Sequence, residues 1–421
     1  MLDIRFIREN KDLIKAGADR KHIAFDVDKL IALDDTRLSL LKSVEHMRAE
    51  QNRTSLMIGN NLSVEERQQL LNEMKVLKDD MKAQEEELKK VMHEWQLLML
   101  QVPNIPDMSV PDGESDEQNV EVRVVGEKPA FTFPIKNHIE LMELHDLADF
   151  ERGSKVSGFR GYFLKNDAAR LEMALWNYFL DKLVSKGYSP MIVPSLVNRE
   201  TLFGTGYLPQ GEEDLYKTQD GDYLAGTGEV ATMAYYSGEI IDKSLLPLKF
   251  ASFSPCFRRE AGAHGKDVKG LYRVHEFFKL EQVILCEASH EESVKYHEEV
   301  TKNVEELLVE LGLPYHVVIN CGGDLGLGQV KKYDIEVWVP SHEKYRETHS
   351  ASYFHDFQTR RLNIRYKDTD GKMRYVHSLN NTAVATPRIL IAILENNQQE
   401  DGTIKIPEPL VKYMGKEYIG K

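Results

Sequence analysis

Two stretches of this chain repeat their long side chains in alternating steps of three and four, and few folds accept such a repeat. Leu30, Leu33, Arg37, Leu40, Val44, Met47, Gln51 and Thr54 recur in the first; Met74, Leu77, Met81, Gln84, Leu88, Val91, Trp95 and Leu98 recur in the second. A stripe with that spacing stays turned toward one partner helix, which is the mark of a coiled coil. Gly59 and Asn60-Asn61 break the first helix, and Ser63, three residues before Glu66, forms a capping box that starts the second. The two helices are expected to fold back as an antiparallel hairpin. About 30 residues per helix at about 1.5 Å each gives an arm roughly 45 Å long. Residues 28–100 hold 14 acidic and 11 basic side chains, so charge alone does not mark the arm for RNA. Arg48, Arg53, Lys75, Lys78 and Lys82 could still line one side. Periodicity by itself fits best with an arm used for dimerisation or spacing.

Beyond residue 100 the pattern changes. Residues 101–135 read as a linker, with Pro103, Pro106 and Pro111 and the run Asp112-Gly113-Glu114-Ser115-Asp116-Glu117, but no apolar period. Residues 168–186 read as an amphipathic helix closed by Gly187. Residues 248–253, 333–339 and 361–366 alternate like strands of an antiparallel sheet, and 390–395 read as a buried helix. The expected fold class is α+β: a helical arm at 1–100, a linker, and a sheet-based body at 136–421.

Composition narrows the setting. The apolar run Ile389 to Leu394 is far too short to span a membrane, and the first residues lack the basic and apolar stretches of a secretory signal. Three widely spaced cysteines, Cys256, Cys286 and Cys321, offer neither a disulfide framework nor a CxxC zinc pattern, so a reducing cytoplasm is expected and zinc is not. A net charge of −14 argues against indiscriminate nucleic-acid binding while leaving room for a local basic patch.

The segment Phe257-Arg258-Arg259-Glu260-Ala261-Gly262-Ala263-His264-Gly265-Lys266-Asp267 carries the most chemistry. From Arg258 to Lys279 six basic residues face three acidic ones inside an acidic protein. Alternating residues enter, Gly-rich turns follow, and Arg273 to Glu281 reads as a return strand. Such a hairpin presents guanidinium and amide donors suited to a polyphosphate. No GxxxxGK[ST] loop occurs.

Phe257-Arg258-Arg259-Glu260, with Arg273-Val274-His275-Glu276-Phe277 behind it, resembles motif 2 of the class II aminoacyl-tRNA synthetases. The Glu-Ala-Gly-x-x-Gly-x-Asp that follows resembles the seryl branch. Gly187-Tyr188-Ser189-Pro190-Met191-Ile192-Val193-Pro194 resembles motif 1, and Leu379-Asn380-Asn381-Thr382-Ala383-Val384-Ala385-Thr386-Pro387-Arg388 resembles motif 3. Asp356-Phe357-Gln358-Thr359-Arg360-Arg361 and the N-terminal hairpin also fit that branch. The resemblance covers nearly the whole chain.

What the resemblance implies can be carried over residue by residue. Arg258 would contact the α-phosphate of ATP and the amino-acid carboxylate, Glu260 the adenine edge, and Phe277 one face of the adenine. Arg388 would cover the other face and reach the γ-phosphate, a task for a planar cation. Arg259, Val274, Thr348 and His349 would complete the nucleotide site. Glu347 and Ser350 would hold Mg²⁺ with oxygen ligands. Thr227-Gly228-Glu229, Glu281 and Thr382 would form the pocket for L-serine, with both glutamates on its ammonium. Taken alone, Glu347 would be an edge-strand carboxylate, and His264 and His275 are loop and packing histidines.

The implied reaction needs no covalent nucleophile. The serine carboxylate attacks the α-phosphate, and a terminal ribose hydroxyl of tRNA(Ser) then attacks the adenylate. Arg258 and Arg388 would be the catalytic groups, through positioning and charge stabilisation. Whether tRNA(Sec) is also an acceptor is open. A homodimer paired through motif 1 is expected. Thr348-His349-Ser350-Ala351-Ser352-Tyr353 departs from the I-S-S-C-S-N of the family, which bears on the fine shape of the pocket. Two rivals are a paralogue that loads serine or another small amino acid onto a carrier protein and a non-catalytic RNA-binding relative. The intact arm speaks against the first, and the joint presence of Arg258, Glu260, Glu281, Glu347 and Arg388 against the second. A structural coiled-coil protein would explain only the first hundred residues.

Overall fold

In the computed structural model, residues 1–58, 63–262, 265, 267, 269–420 are described. Gly59-Asn60-Asn61-Leu62, expected to break the arm, and Ala263, His264, Lys266 of the hairpin lie outside them. Two units make up the chain: Leu2–Asp19 with Ile23–Pro103, and Arg20–His22 with Asn104–Lys421 and Met1.

In the first unit, short helices α1 (Ile4–Glu9) and α2 (Lys11–Arg20) precede two long ones, α3 (Val27–Ile58) and α4 (Val64–Gln101). With 32 and 38 residues they are longer than the sequence suggested, about 48 and 57 Å. The capping box is present: Glu66 N–H donates to Ser63 Oγ, and the Glu66 carboxylate accepts from Ser63 N–H. Every residue of both stripes is buried or half-buried, including the polar ones. Arg37 belongs there because its guanidinium lies 4.7 Å over the Trp95 ring and donates to Asp34, which is 1% exposed. Asp34 also accepts from Arg8 at 3.0 Å, so the buried carboxylate is doubly paired. Arg48 spends its charge on Glu85, 2.8 Å away across the hairpin.

The second unit is built on an eight-stranded sheet: β1 (Val120–Val125), β2 (Ser189–Ile192), β3 (Leu248–Phe257), β4 (Glu276–Cys286), β5 (Tyr315–Ile319), β6 (Lys331–Val339), β7 (Lys344–His355) and β8 (His377–Thr386). Their order is β1-β5-β6-β7-β8-β4-β3-β2, antiparallel except where β2 runs parallel to β3. Alternation sorts β4 between two faces. Leu280, Ile284 and Cys286 join the main core with Leu171, Leu175 and Phe179 of the helix Asn166–Ser185, and with the fully buried Ile389–Leu394 stretch of the helix Arg388–Asn396. Each such side chain contributes about 2 kcal/mol by leaving water. Lys279 and Glu281 point to the opposite face, where the sheet carries its polar residues.

Two expectations need correction. Residues 101–135 are not a free linker: Asn104 donates to the carbonyls of Gly328 and Phe354, and β1 edges the sheet against β5. The alternation in Val120-Glu121-Val122-Arg123-Val124 was masked by the prolines and acidic run before it. Residues 361–366 are not a strand of the main sheet. Phe357–Arg361 is helical, and Arg365–Lys367 pairs in a separate three-stranded sheet with Ile240–Ile241 and Met373–Tyr375. Glu347 lies on β7 between β6 and β8 in the sheet order, but the β7–β8 ladder covers only Ala351 to His355, so at Glu347 β7 is paired with β6 alone, as for an edge strand.

Candidate active site

The register of the central strands gathers the polar residues. Glu281 on β4 stands opposite Ser252 of β3 on one side and Thr382 of β8 on the other. Asn380 of β8 pairs with Ser352 of β7. Above these strands open two adjoining hollows that share Arg258, Lys279, Glu347 and Thr382.

The larger hollow, about 310 Å³, takes in Thr227, Glu229, Glu281, Ser350 and Thr382. The Thr227 hydroxyl donates to Glu281 at 2.9 Å and accepts the Glu229 amide at 3.2 Å. Glu281 is also paired with Lys279. Glu229 accepts from Tyr207 at 3.1 Å and from Gln358 at 2.6 Å. Burial and the neighbouring Glu281 carboxylate push Glu229 up to about 7 despite those donors. Two buried carboxylates beside hydroxyl and amide groups form a place for an ammonium next to a small polar side chain.

The smaller hollow, about 70 Å³, takes in Arg258, Glu260, Val274, Phe277, Thr348 and Arg388. Arg258 follows the end of β3; its amide donates to His275 O at 2.9 Å, and its guanidinium lies 5.4 Å over the Phe277 ring. Arg388, in the first turn after β8, donates to the Tyr272 carbonyl at 3.2 Å and to the Glu347 carboxylate at 3.1 Å, and lies 5.0 Å over the Tyr272 ring. Glu260 has φ +56 and receives the Arg273 guanidinium at 2.5 Å. Cations and aromatic faces in one slot suit a planar, polyanionic ligand.

Glu347 opens on both hollows, its side chain 46% exposed. Desolvation works to raise its carboxyl, but Arg388, Lys332 and Arg258 outweigh it and hold the group below the usual carboxylate range. Ser350 lines the larger hollow, and opposite it on β6 stands Asp334, whose Oδ1 has no hydrogen-bond partner among the described residues. The ionised Glu347 carboxylate and the Ser350 hydroxyl are hard oxygen donors of the kind that suits Mg²⁺.

Three expected residues stand apart from the hollows. Arg259 turns its guanidinium to the Glu213 carbonyl at 2.9 Å. His349 is 1% exposed, pairs with the Thr348 hydroxyl at 2.7 Å and is pushed by burial down to about 3, so it stays neutral. Gly228 packs on β3, where a Cβ would stand 3.0 Å from Ser254 Oγ. His275 is a packing group, its Nδ1 2.9 Å from the Arg258 carbonyl.

Sequence reasoning missed Lys279, Tyr207, Gln358, Tyr272 and Asn380. For Lys279 a signal existed: with Phe277 and Glu281 it forms a step of two on a strand, which puts all three on one face. Tyr207 and Gln358 reach the site from segments far apart in the chain, and no local pattern marks them.

A central antiparallel sheet with this cation-and-aromatic slot on one face defines a class II aminoacyl-tRNA synthetase core. Residues 216–397 match the family model for the tRNA synthetase class II core domain (G, H, P, S and T), and residues 1–106 match the seryl-tRNA synthetase N-terminal domain. The chain is 47% identical to the serine–tRNA ligase of Deinococcus radiodurans, over 100% of this chain and 99% of that one. It is 44% identical to the serine–tRNA ligase of Treponema denticola, with all of both chains covered. Among solved structures, the seryl-tRNA synthetase of Pyrococcus horikoshii complexed with ATP superposes with a TM-score of 0.90 at 38% identity, covering 100% of this chain and 99% of that one. The cytoplasmic serine–tRNA ligase of Naegleria fowleri in complex with AMP gives 0.86 at 34%, covering 100% and 98%. The chain belongs to the seryl-tRNA synthetase family.

Proposed function

We infer that the chain is an ATP-dependent ligase that activates L-serine as its adenylate and transfers it to tRNA(Ser). The observation that carries this is the junction of the two hollows. An ammonium site walled by Glu229 and Glu281 meets a nucleotide slot walled by Arg258, Phe277 and Arg388. A carboxylate attached to the bound ammonium's carbon falls beside Arg258, which both hollows share. Arg258 would hold that carboxylate against the α-phosphate, and Arg388 would cover the adenine and meet the outer phosphates. Rate enhancement then comes from orientation and from fixed positive charge that meets charge developing in the transition state. The Thr227–Glu281 pair offers partners to a hydroxyl, and a substrate lacking one would leave them unpaired.

Glu347 and Ser350 would hold Mg²⁺, which when bound neutralises phosphate charge. The arm, residues 1–100, would receive tRNA. Pairing as a homodimer would use β2, a sheet edge on which Ile192 is 87% exposed. Cytoplasmic residence is in keeping with three buried free cysteines. Among the described residues no helix is long and apolar enough to cross a membrane.

The test is amino-acid-dependent ATP–pyrophosphate exchange across serine, threonine, alanine, cysteine and glycine, followed by charging of tRNA(Ser) and tRNA(Sec). Exchange with serine well above the others is expected. Exchange driven best by another amino acid would overturn the substrate, and none at all would overturn the chemistry.

A further inference from the structure

Lys21 is buried, 3% exposed, and takes no part in the roles above. Its ammonium donates to three backbone carbonyls, those of Gly326 and Leu327 at 3.0 Å and of Gln329 at 2.5 Å. The segment 326–329 is a wall of the larger hollow. A primary ammonium has three donors, and here each meets one carbonyl. Among the described residues its hydrogen bonds go to no carboxylate, and burial pushes its pKa down to about 7. Burying a cation without a counter-charge is costly. A neutral amide can hold such a loop at less cost, as Asn104 does for the carbonyls of Gly328 and Phe354 at 3.0 and 2.8 Å.

The loop's other attachments also lead to the hollow. The Gln329 side chain accepts the Gly326 amide at 2.6 Å and donates to Ser352 Oγ at 2.7 Å, and Ser352 is itself a wall residue. Gly328 leaves no room for a side chain, since a Cβ would stand 2.5 Å from the Phe357 ring, another wall residue. The wall is therefore fixed from both ends and from behind.

We propose that Lys21 is a positioning residue for amino-acid binding: by gathering the carbonyls of Gly326, Leu327 and Gln329 it sets the wall against which the substrate side chain fits. This rests on the assignment of the larger hollow to serine. In ATP–pyrophosphate exchange Lys21→Met, which keeps the stem and removes the donors, should raise the KM for serine about tenfold or more and leave the KM for ATP within about twofold. Wild-type protein is measured in the same series. No serine-dependent exchange by wild type would remove the serine assignment, whereas an active wild type and an unchanged serine KM in Lys21→Met would overturn this proposal alone. Equal rises in both KM values with a lowered Tm would overturn it too, as the behaviour of a lysine that only supports the fold. If Lys21→Met does not fold, Gln329→Leu releases the same wall from Ser352, and an unchanged serine KM there is equally fatal.

Discussion

Glu347 and Arg388 face each other at 3.1 Å, one from the strand β7 and the other from the first turn of the helix after β8. Tyr272 joins the same two segments, its hydroxyl donating to the Glu347 carbonyl at 3.4 Å and its carbonyl accepting from Arg388 at 3.2 Å. Arg388→Lys keeps the charge but loses the flat face and the second donor. It should lower kcat/KM for ATP about 100-fold in exchange assays, with serine KM changed far less. A drop of less than threefold would remove Arg388 from the nucleotide site.

Glu347→Gln removes the ionised oxygen that the surrounding cations keep below the usual carboxylate range. The Mg²⁺ concentration giving half-maximal exchange should rise about tenfold or more. A Mg²⁺ titration identical to wild type would place the metal elsewhere.

Thr227→Val preserves shape while taking the hydroxyl from Glu281, now its donor at 2.9 Å. The ratio of serine to alanine activation should fall about tenfold, because discrimination depends on polar groups that alanine leaves unpaired. The ratio is read directly from kcat/KM for each amino acid, and constancy would sink the idea.

Glu229 has a folded-state pKa of about 7 against an ordinary value near 4.3. The folded chain therefore binds the extra proton between those values. Stability from this group is intact below about pH 4.3 and is lost as pH rises through about 7, by an amount of order 3 kcal/mol. Glu229→Gln should leave Tm nearly unchanged at pH 5 and raise it relative to wild type at pH 8. Taking the difference between the two proteins removes the opposite trend of His297 and His349, which burial holds near 4 and 3. The same variant should bind serine more weakly at pH 8, having lost a carboxylate partner for its ammonium. A Tm difference independent of pH would show that Glu229 is ionised in the folded chain throughout.

Val44→Asp places a carboxylate at a position 1% exposed inside the arm, a change that typically costs several kcal/mol locally. Serine-dependent exchange should persist while tRNA charging falls. Loss of both would mean that the arm supports the body rather than the tRNA.

The arm was legible because a coiled coil writes its geometry into spacing: even Arg37 and Trp95 fell on the stripe, and the structure stacks them. The site was legible where strand and turn signals bracketed charged residues, as at Arg258, Glu281 and Arg388. It was less so where chain order and space part company. Tyr207 lines the larger hollow while Lys21 and Gln358 bond to its walls, all from segments with no shared pattern, and their partners lie 22, 308 and 129 residues away in the chain. Arg259 misled because adjacent arginines look alike in sequence, while the turn after β3 sends one toward the hollows and the other toward Glu213. The strand β1 was hidden because a valine alternation is weak evidence beside three prolines.

Four residues, Arg258, Lys279, Glu347 and Thr382, belong to both hollows. A change at any of them reshapes both hollows at once, so the common wall can hardly drift. The private walls are free of that constraint: Ser352 and Gln329 line only the larger hollow, and Val274 and Ala385 only the smaller one. Attempts to retune this scaffold toward a different amino acid should therefore begin at Ser352 and Gln329, changed together because they are hydrogen-bonded to each other and belong to the larger hollow alone.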